Sequence, residues 1–530
     1  MSPRCQKARK TKPRACCVRG FCMDVRCLVF APCQCYNDRV YVNVNIVGSR
    51  FMCDSAEDKR GTDVMYQIKL DQPVHAHFIG IGGVSMSGLA EILMDRGFTV
   101  SGSDSHKSAV TEKLAAEGAK VDYPQKADNI NDSIDVVVYT AAIHPDNPEF
   151  RAAQEAGIPM LTRAQLLGEI MRNYQEAINV SGTHGKTTTT SMITEILLGA
   201  HRDPTVSVGG NLKDIGGNVR VGGKELFVVE ACEYTNSFLS FFPTIEVILN
   251  VEADHLDFFK DLDDIRHSFR RFAEKLPENG LLVINRDIPH YEYFIKDLKA
   301  KVITFGHDKN AEYTANFISY DRMARPTYTL FHNGEEVDTI HLGVTGEHNI
   351  YNSLAAIAVA QYLDVDLETI KTALSHFTGT DRRFQKKGTV KGFTIIDDYA
   401  HHPQEIAATI EAAKKYPHRK MWVAFQPHTY SRTAALLDDF AGALAQADEI
   451  VLADIYAARE KNTIGISSDD LRKHMLEQNT NVYYIPEFKD IEAFLLERMK
   501  PGDVLITMGA GDIYKVGEDL LTLPGAEVEK

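Results

Sequence analysis

Val180-Ser-Gly-Thr-His-Gly-Lys-Thr-Thr-Thr-Thr190 decides the reading of this chain. A short apolar run, Glu176 to Val180, leads into it, and a helical pattern, Met192 to Leu198, follows. A glycine turn that opens a helix aims several backbone N–H groups at one spot, and the helix dipole adds positive potential there. Lys186 adds a full charge, and Thr187 follows it directly, where a hydroxyl can reach a magnesium ion on the phosphates. The segment therefore reads as a cradle for a nucleoside triphosphate. It departs from the G-x-x-x-x-G-K-[ST] pattern in one place, because Val180 stands where the first glycine belongs. The competing reading is a Gly/Thr-rich helix start with a surface lysine.

Working outward, 530 residues are too many for one core, and three domains are expected. The boundaries read as 65–174, 175–378 and 379–530, with residues 1–64 set apart. The composition, 44% hydrophobic and 25% charged, is that of a water-soluble globular protein. No apolar run reaches the roughly 18 residues a membrane helix needs. A net charge of −15 argues against a nucleic-acid surface over most of the chain. Residues 1–64 hold eight of the nine cysteines and carry 12 Lys/Arg against 6 Asp/Glu, so the acidic charge lies in the remainder. Pairs such as Cys16-Cys17 and Cys33-x-Cys35 hint at metal, yet no zinc-type frame of cysteine and histidine emerges. This segment is expected to be a disordered or non-native leader, with the functional chain starting at Met65. A cysteine-poor remainder fits a reducing cytoplasm.

Before the phosphate cradle lies another glycine turn. Val74 to Ile81 reads as a strand, Gly80 to Gly88 as the turn, Ser87 to Arg96 as a helix, and Thr99 to Ser101 as the next strand, ending near Asp104. An acid about 20 positions after the glycines is what a nucleotide ribose site requires. The pattern serves a dinucleotide such as NAD or a mononucleotide diphosphate equally well. Beyond the cradle, strands at Glu225 to Glu230, Ile245 to Val251 and Gly280 to Asn285 alternate with a helix at Leu262 to Leu276, which predicts a mostly parallel sheet. Residues 313–342 alternate like hairpin strands around His332-Asn-Gly334, so a small antiparallel annex is expected. Helices follow at Asn349 to Tyr362 and Leu367 to His376. A further α/β unit runs from Thr394 to Met508, including one helix from Thr433 to Gln446. The expected fold class is thus α/β, with a Rossmann-like N-terminal domain, a central P-loop domain and a Rossmann-like C-terminal domain.

Three side chains could hold a divalent cation beside the cradle: Thr187, Glu230 at the end of an apolar strand, and His255 just past another. Open parallel sheets bind ligands at the C-terminal ends of their strands, and mixed oxygen and nitrogen donors suit Mg²⁺ or Mn²⁺. Each of the three, taken alone, reads as an ordinary loop residue.

From about Met65 onward the chain resembles the Mur ligases of peptidoglycan synthesis, and among them the member that adds the first amino acid. The matching pieces are HFIGIGGVSMSGLAEIL (77–93), SGTHGKTTTT (181–190), EACEY (230–234), NVEADHLD (250–257), GEHNIYN (346–352), GTDRRF (379–384), DDYAHHP (397–403) and FQPHTYSR (425–432). They occur in the family's order, and HFIGIGG and DDYAHHP favour this member over the other Mur ligases and folylpolyglutamate synthase. The resemblance implies a cytoplasmic enzyme that joins L-alanine to the lactyl carboxylate of UDP-N-acetylmuramate with ATP and Mg²⁺ (or Mn²⁺), through an acyl phosphate. It implies that Gly182, Thr183, His184, Gly185, Lys186, Thr187, Thr188, Asn349, Asn352 and Arg383 contact ATP. It assigns catalysis to Lys186, His255, Arg383 and Asp398, and the metal to Thr187, Glu230 and His255. Gly80, Gly82, Gly83, Ser85 and Asp104 would bind the UDP portion, and His401, His428 and Arg432 the amino acid. Two rivals stand beside it: a sibling ligase that joins a whole peptide to the same nucleotide in wall recycling, and an NAD(P)-binding regulator or dehydrogenase. The second leaves the cradle and the third domain without a role.

Deleting residues 1–64 is expected to leave activity and melting temperature nearly unchanged, because the segment lacks both a ligand frame and a family counterpart. Thermal unfolding and turnover of the truncated protein check this; an inactive or unfolded product, or stoichiometric zinc on the full chain, refutes it.

Overall fold

Parallel strands covered by helices on both faces must be apolar along their whole length. His75–Ile79 and Val136–Tyr139 obey this, with buried side chains at nearly every position. They form the centre of a five-stranded sheet in the spatial order Lys120–Asp122, Thr99–Ser103, His75–Ile79, Val136–Tyr139, Met160–Thr162, and every pairing is parallel. The structure is a computed structural model that describes residues 66–256, 258–458, 460–477 and 481–529. The expectation for residues 1–64 lies outside these.

The second sheet has ten strands. Its parallel heart is Leu281–Asn285, Ile245–Ile248, Glu176–Ser181 and Leu226–Glu230. The expected annex is present as Tyr313–Tyr320, Pro326–His332 and Glu335–His341, paired antiparallel at one edge. At the other edge sits a hairpin that the sequence reading missed, Thr205–Leu212 with Gly217–Arg220. Its glycines and polar residues hide the strand alternation. The helices Lys186–Gly199 and His348–Tyr362 cover one face, and their Ile193, Ile196, Leu197, Leu354 and Ile357 merge with Val180, Val228 and Val247 in one core.

The third sheet has seven strands, and its parallel run is Val482–Tyr484, Glu449–Leu452, Met421–Phe425, Val504–Met508 and Phe393–Asp398. The strands Gln385–Val390 and Glu527–Val528 extend it antiparallel. The three sheets and their helices make the three-part α/β architecture expected from the alternating pattern.

Two helix boundaries differ from the sequence reading for local reasons. The first helix spans Val84–Asp95, three residues earlier than expected, because extended Gly83 ends the turn. The helix expected from Thr433 to Gln446 is two, Tyr430–Ala435 and Leu437–Leu444. Leu436 leaves helical geometry at φ −117° and ψ 27°. Hydrogen bonds from Leu436 N to Arg432 O and from Phe440 N to Leu436 O still cross the joint, so the chain kinks there.

Helix Arg163–Met171, after the first sheet, packs on the 3₁₀ segment Tyr234–Ser240 of the central region. The contact needs a glycine, because a Cβ at Gly168 would overlap the Ser240 carbonyl. Alanine is a better helix former than glycine by about 1 kcal/mol, yet here the clash dominates. Gly168→Ala is expected to destabilise the protein by about 1–3 kcal/mol, read as a lower urea midpoint; an unchanged or raised midpoint would contradict this close approach.

Candidate functional site

The glycine turn grows out of the strand Glu176–Ser181, whose neighbours on both sides run parallel to it. Register sets Val180 opposite Glu230 and Val247, so three strands end side by side. Gly182 and Gly185 have φ of 140° and 85°, the left-handed region in which glycine is favoured. Lys186 then opens the helix Lys186–Gly199. Asn250, from the loop after the strand Ile245–Ile248, clamps the turn. Its side chain accepts from His184 N at 2.7 Å and donates to His184 O at 3.1 Å, and its carbonyl accepts from Thr183 N at 3.2 Å. Asn250 lay within a motif used for the resemblance but received no role; its partner is 66 residues away, beyond any local pattern.

A cavity of about 560 Å³ opens at these strand ends. Thr183, His184, Gly185, Lys186, Thr187, Glu230, His255, Arg383 and His401 all line it. The ammonium of Lys186 donates to Glu233 Oε2 at 3.1 Å and to Thr183 O at 3.0 Å. Burial would lower the lysine, but Glu233 together with Cys232 and Glu230 outweighs it and the group is raised. Glu230 accepts from Gly209 N at 2.5 Å, which ties the unforeseen hairpin to the cavity wall. His255 adopts φ 53° and stacks on Tyr234 with centroids 4.4 Å apart. Among the described residues no three His, Cys, Asp or Glu side chains are grouped to hold a metal. Thr187, Glu230 and His255, which line the cavity, are the residues that could hold a cation here. Their oxygen and nitrogen donors fit a hard divalent ion.

A larger cavity, about 1060 Å³, lies next to the first and shares His184, Gly185, Asp381, Arg383 and Glu405 with it. Thr188, Asn349, Asn352 and Asp398 line this one. Asn352 faces the turn closely: a Cβ on Gly185 would lie 2.6 Å from its Oδ1. Asn352 donates to Asn349 Oδ1 at 2.9 Å, and Asn349 donates to Thr345 O at 2.7 Å. His307 lies against Tyr351 on the same wall, tilted by 30° with centroids 3.9 Å apart, a contact that the sequence reading did not anticipate.

Asp398 accepts from Phe384 N at 2.8 Å and Ala400 N at 2.7 Å, so it fastens the segment entering the third sheet. Burial pushes its carboxyl up to about 6 against the pull of Arg383. Arg382, which received no role from the sequence, is the better anchored of the two arginines. It donates to Asp397 Oδ2 at 3.0 Å and Gly509 O at 2.6 Å and lies over the Tyr399 and Tyr514 rings. His401 Nδ1 sits 3.3 Å from Glu405 Oε2, and burial pushes the imidazole down to about 4. His428 is likewise lowered to about 4, by burial and then by Arg432. Arg432 Nη2 donates to Asp254 Oδ1 at 3.1 Å. Burial would raise Asp254, but Arg432, His255 and His402 hold its carboxyl well below the usual range. Arg432 and His428 line neither of these two cavities, whereas Asp254 lines the smaller.

The glycine turn of the first sheet is not joined to them. Gly80, Gly82, Gly83, Ser85 and Asp104 line neither cavity. They form a unit of their own, in which Gly82 N donates to Asp104 Oδ2 at 2.9 Å.

His184 bridges two walls. Its Nδ1 lies 3.2 Å from Glu405 Oε1 and its Nε2 3.5 Å from Glu252 Oε2. Burial would lower the imidazole, but the two carboxylates outweigh it and raise the group to about 10. The folded value exceeds the unfolded one, so the stabilisation is complete below about pH 6.5, declines above it and is gone past about 10. His184→Gln is expected to flatten the fall in stability between pH 6.5 and 10, measured by urea unfolding across that window; an unaltered pH slope would show that the imidazolium is not the group responsible.

Known proteins match over most of the chain. The Mur ligase family catalytic domain matches residues 75–175, the Mur ligase middle domain residues 180–360, and the Mur ligase glutamate ligase domain residues 382–511. The UDP-N-acetylmuramate–L-alanine ligase of Lachnospira eligens is 64% identical over 458 residues, covering 86% of this chain and 100% of that protein. The one from Agathobacter rectalis is 58% identical over 457 residues, with the same coverage. Among solved structures, the UDP-N-acetylmuramate-alanine ligase of Thermotoga maritima superposes with a TM-score of 0.71 at 30% identity, covering 84% of this chain and 98% of that one. A murein peptide ligase from Psychrobacter arcticus gives 0.63 at 25% identity, covering 85% and 98%.

Proposed function

The chain belongs to the Mur ligase family, and from that premise we propose that it joins L-alanine to the lactyl carboxylate of UDP-N-acetylmuramate, converting ATP to ADP and phosphate. The observation that carries this reading is the convergence of Lys186, Thr187, Glu230, His255, Arg383 and His401 on one cavity at the ends of parallel strands. The relatives that share more than half of its residues are named as alanine ligases, which favours alanine over a peptide as acceptor.

In this reading the division is 65–174 for the UDP end, 175–378 for ATP and 379–530 for the amino acid. The backbone of Gly182 to Thr188 cradles the phosphates of ATP, and the Lys186 ammonium neutralises charge on the one being transferred. Asn349, Asn352 and Arg383 border the rest of the nucleotide. Thr187, Glu230 and His255 would hold Mg²⁺ or Mn²⁺, which supplies further neutralisation of the phosphate oxygens when bound. The lactyl carboxylate attacks the γ-phosphorus, the bond to the bridging oxygen breaks, and ADP leaves. The resulting acyl phosphate is attacked at its carbonyl carbon by the unprotonated amine of alanine. The tetrahedral adduct collapses to the amide and expels phosphate. Positioning and charge stabilisation carry most of the rate, since the reactants supply the bonding changes. Asp398 acts through the backbone it fastens. Gly80, Gly82, Gly83, Ser85 and Asp104 take the UDP portion, and His401, His428 and Arg432 surround the amino acid. The substrates place the reaction in the cytoplasm.

A coupled phosphate-release assay tests the proposal. Release is expected to need ATP, UDP-N-acetylmuramate and an amino acid together, with alanine preferred over glycine, serine and a tripeptide. Lys186→Ala is expected to lower turnover by about 10²–10³-fold or more while the circular dichroism spectrum stays native. A folded Lys186→Ala protein with normal turnover, or release that ignores the muramate nucleotide, would overturn it.

A further inference from the structure

Arg432 and Asp254 are 178 residues apart, yet the guanidinium meets the carboxylate at 3.1 Å with only 12% and 10% of their side chains exposed. Arg432 belongs to the short helix Tyr430–Ala435 of the third region, and Asp254 to the loop after the strand Ile245–Ile248 of the central one. Two features orient the pair. Asp254 Oδ1 also accepts from His255 N at 2.6 Å, which fixes its rotamer, and Asp254 lines the cavity that holds Lys186 and His255. On the far side, Arg432 Nη1 lies 3.3 Å from His428 Nδ1. A guanidinium cannot accept, so that imidazole nitrogen presents its lone pair and the ring is neutral toward Arg432. Arg432 thus has a neutral base behind it and one anion in front.

That arrangement answers a problem of selectivity. A lone arginine binds any small carboxylate and repels a cation placed beside it. An α-amino acid carries its ammonium and its carboxylate on the same carbon. A pocket that prefers it over a plain carboxylate needs an anion directly next to the cation. The other carboxylates nearby are engaged elsewhere: Glu233 with Lys186, Glu405 with His184 and His401, and Glu460 with Ser431. Asp254 alone, among the described residues, makes an ion pair with Arg432.

We propose that Asp254 is the specificity-determining anchor for the ammonium group of the amino-acid substrate, so that Asp254 and Arg432 together form a clamp for a zwitterion. The proposal rests on the reading that Arg432 takes the substrate carboxylate. The incoming molecule lies along the pair with its carboxylate on Arg432 and its ammonium on Asp254, so that opposite charges alternate. Because the two residues come from different regions, the same ligand touches both the third region and the central one. Asp254 holds the ammonium form for recognition beside the cavity of Lys186, and the amine attacks only after it has lost that proton to water.

Calorimetric binding to the full chain, with UDP-N-acetylmuramate and a non-hydrolysable ATP analogue present, tests this with three probes. They are L-alanine, L-lactate (a hydroxyl in place of the ammonium) and L-alaninamide (a carboxamide in place of the carboxylate). The unaltered protein is expected to prefer alanine over lactate by about tenfold or more; equal affinities overturn the proposal with no variant needed. Asp254→Asn is expected to weaken alanine and alaninamide about tenfold or more and to leave lactate within about twofold. Asp254→Glu, which keeps the charge, is expected to retain the preference for alanine over lactate. Equal weakening of lactate and alanine in Asp254→Asn, or loss of the preference in Asp254→Glu, overturns it. Arg432→Gln decides the underlying reading separately: it should weaken alanine and lactate but spare alaninamide. If Arg432→Gln changes neither carboxylate ligand while Asp254→Asn still acts selectively, the ammonium anchor stands and the carboxylate partner lies elsewhere.

Discussion

Glu405 is one carboxylate shared by basic groups from three parts of the chain. His184 reaches it from the glycine turn, Arg383 from the segment entering the third sheet, and His401 from its own loop. A buried carboxylate is costly unless cations and donors surround it, so each of these groups depends on the others being in place. Their meeting point lies on the border of both cavities, and Glu405 lines both. The arrangement of the walls therefore follows from a single charge that has to be satisfied. The Asn250 clamp does the same for the backbone of the turn, and Asp398 for the backbone of the entering segment.

This explains how a site can be assembled from separate sheets. Parallel strands give each region a common edge where loops emerge, and the loops carry short polar motifs. The helices behind the strands fix these edges through apolar packing, which is strong but indifferent to small rotations. Directional contacts between loops, such as Asn211 with Asp381 at 2.7 Å and Arg432 with Asp254 at 3.1 Å, supply the orientation that packing does not.

What could be read from the sequence was local. The turn from Gly182 to Lys186 was legible because strand, glycines, lysine and helix follow one another within one segment. Glu230 was legible as the last residue of an apolar strand, and the annex from its hairpin turn and alternation. The counter-ion of Lys186 was not, because Glu233 comes 47 residues later in a loop without periodicity. Asn250, Asp254 and Arg382 were hidden for the same reason, although each sat inside a motif that carried the family resemblance. Glu405 did offer a signal, as an acid three residues after a helix cap, but that position is explained equally well by capping alone. The kink at Leu436 had no signal in composition, since neither proline nor glycine marks it.

That kink separates two kinds of burden in one stretch of chain. Leu437–Leu444 is fixed by Phe440 and Leu444 in the core, whereas Tyr430–Ala435 buries only Thr433 and carries Arg432. Changes on the short helix can shift Arg432 without repacking the sheet behind it. A stretch divided in this way separates the residue that meets the central region from the residues that hold the third sheet together.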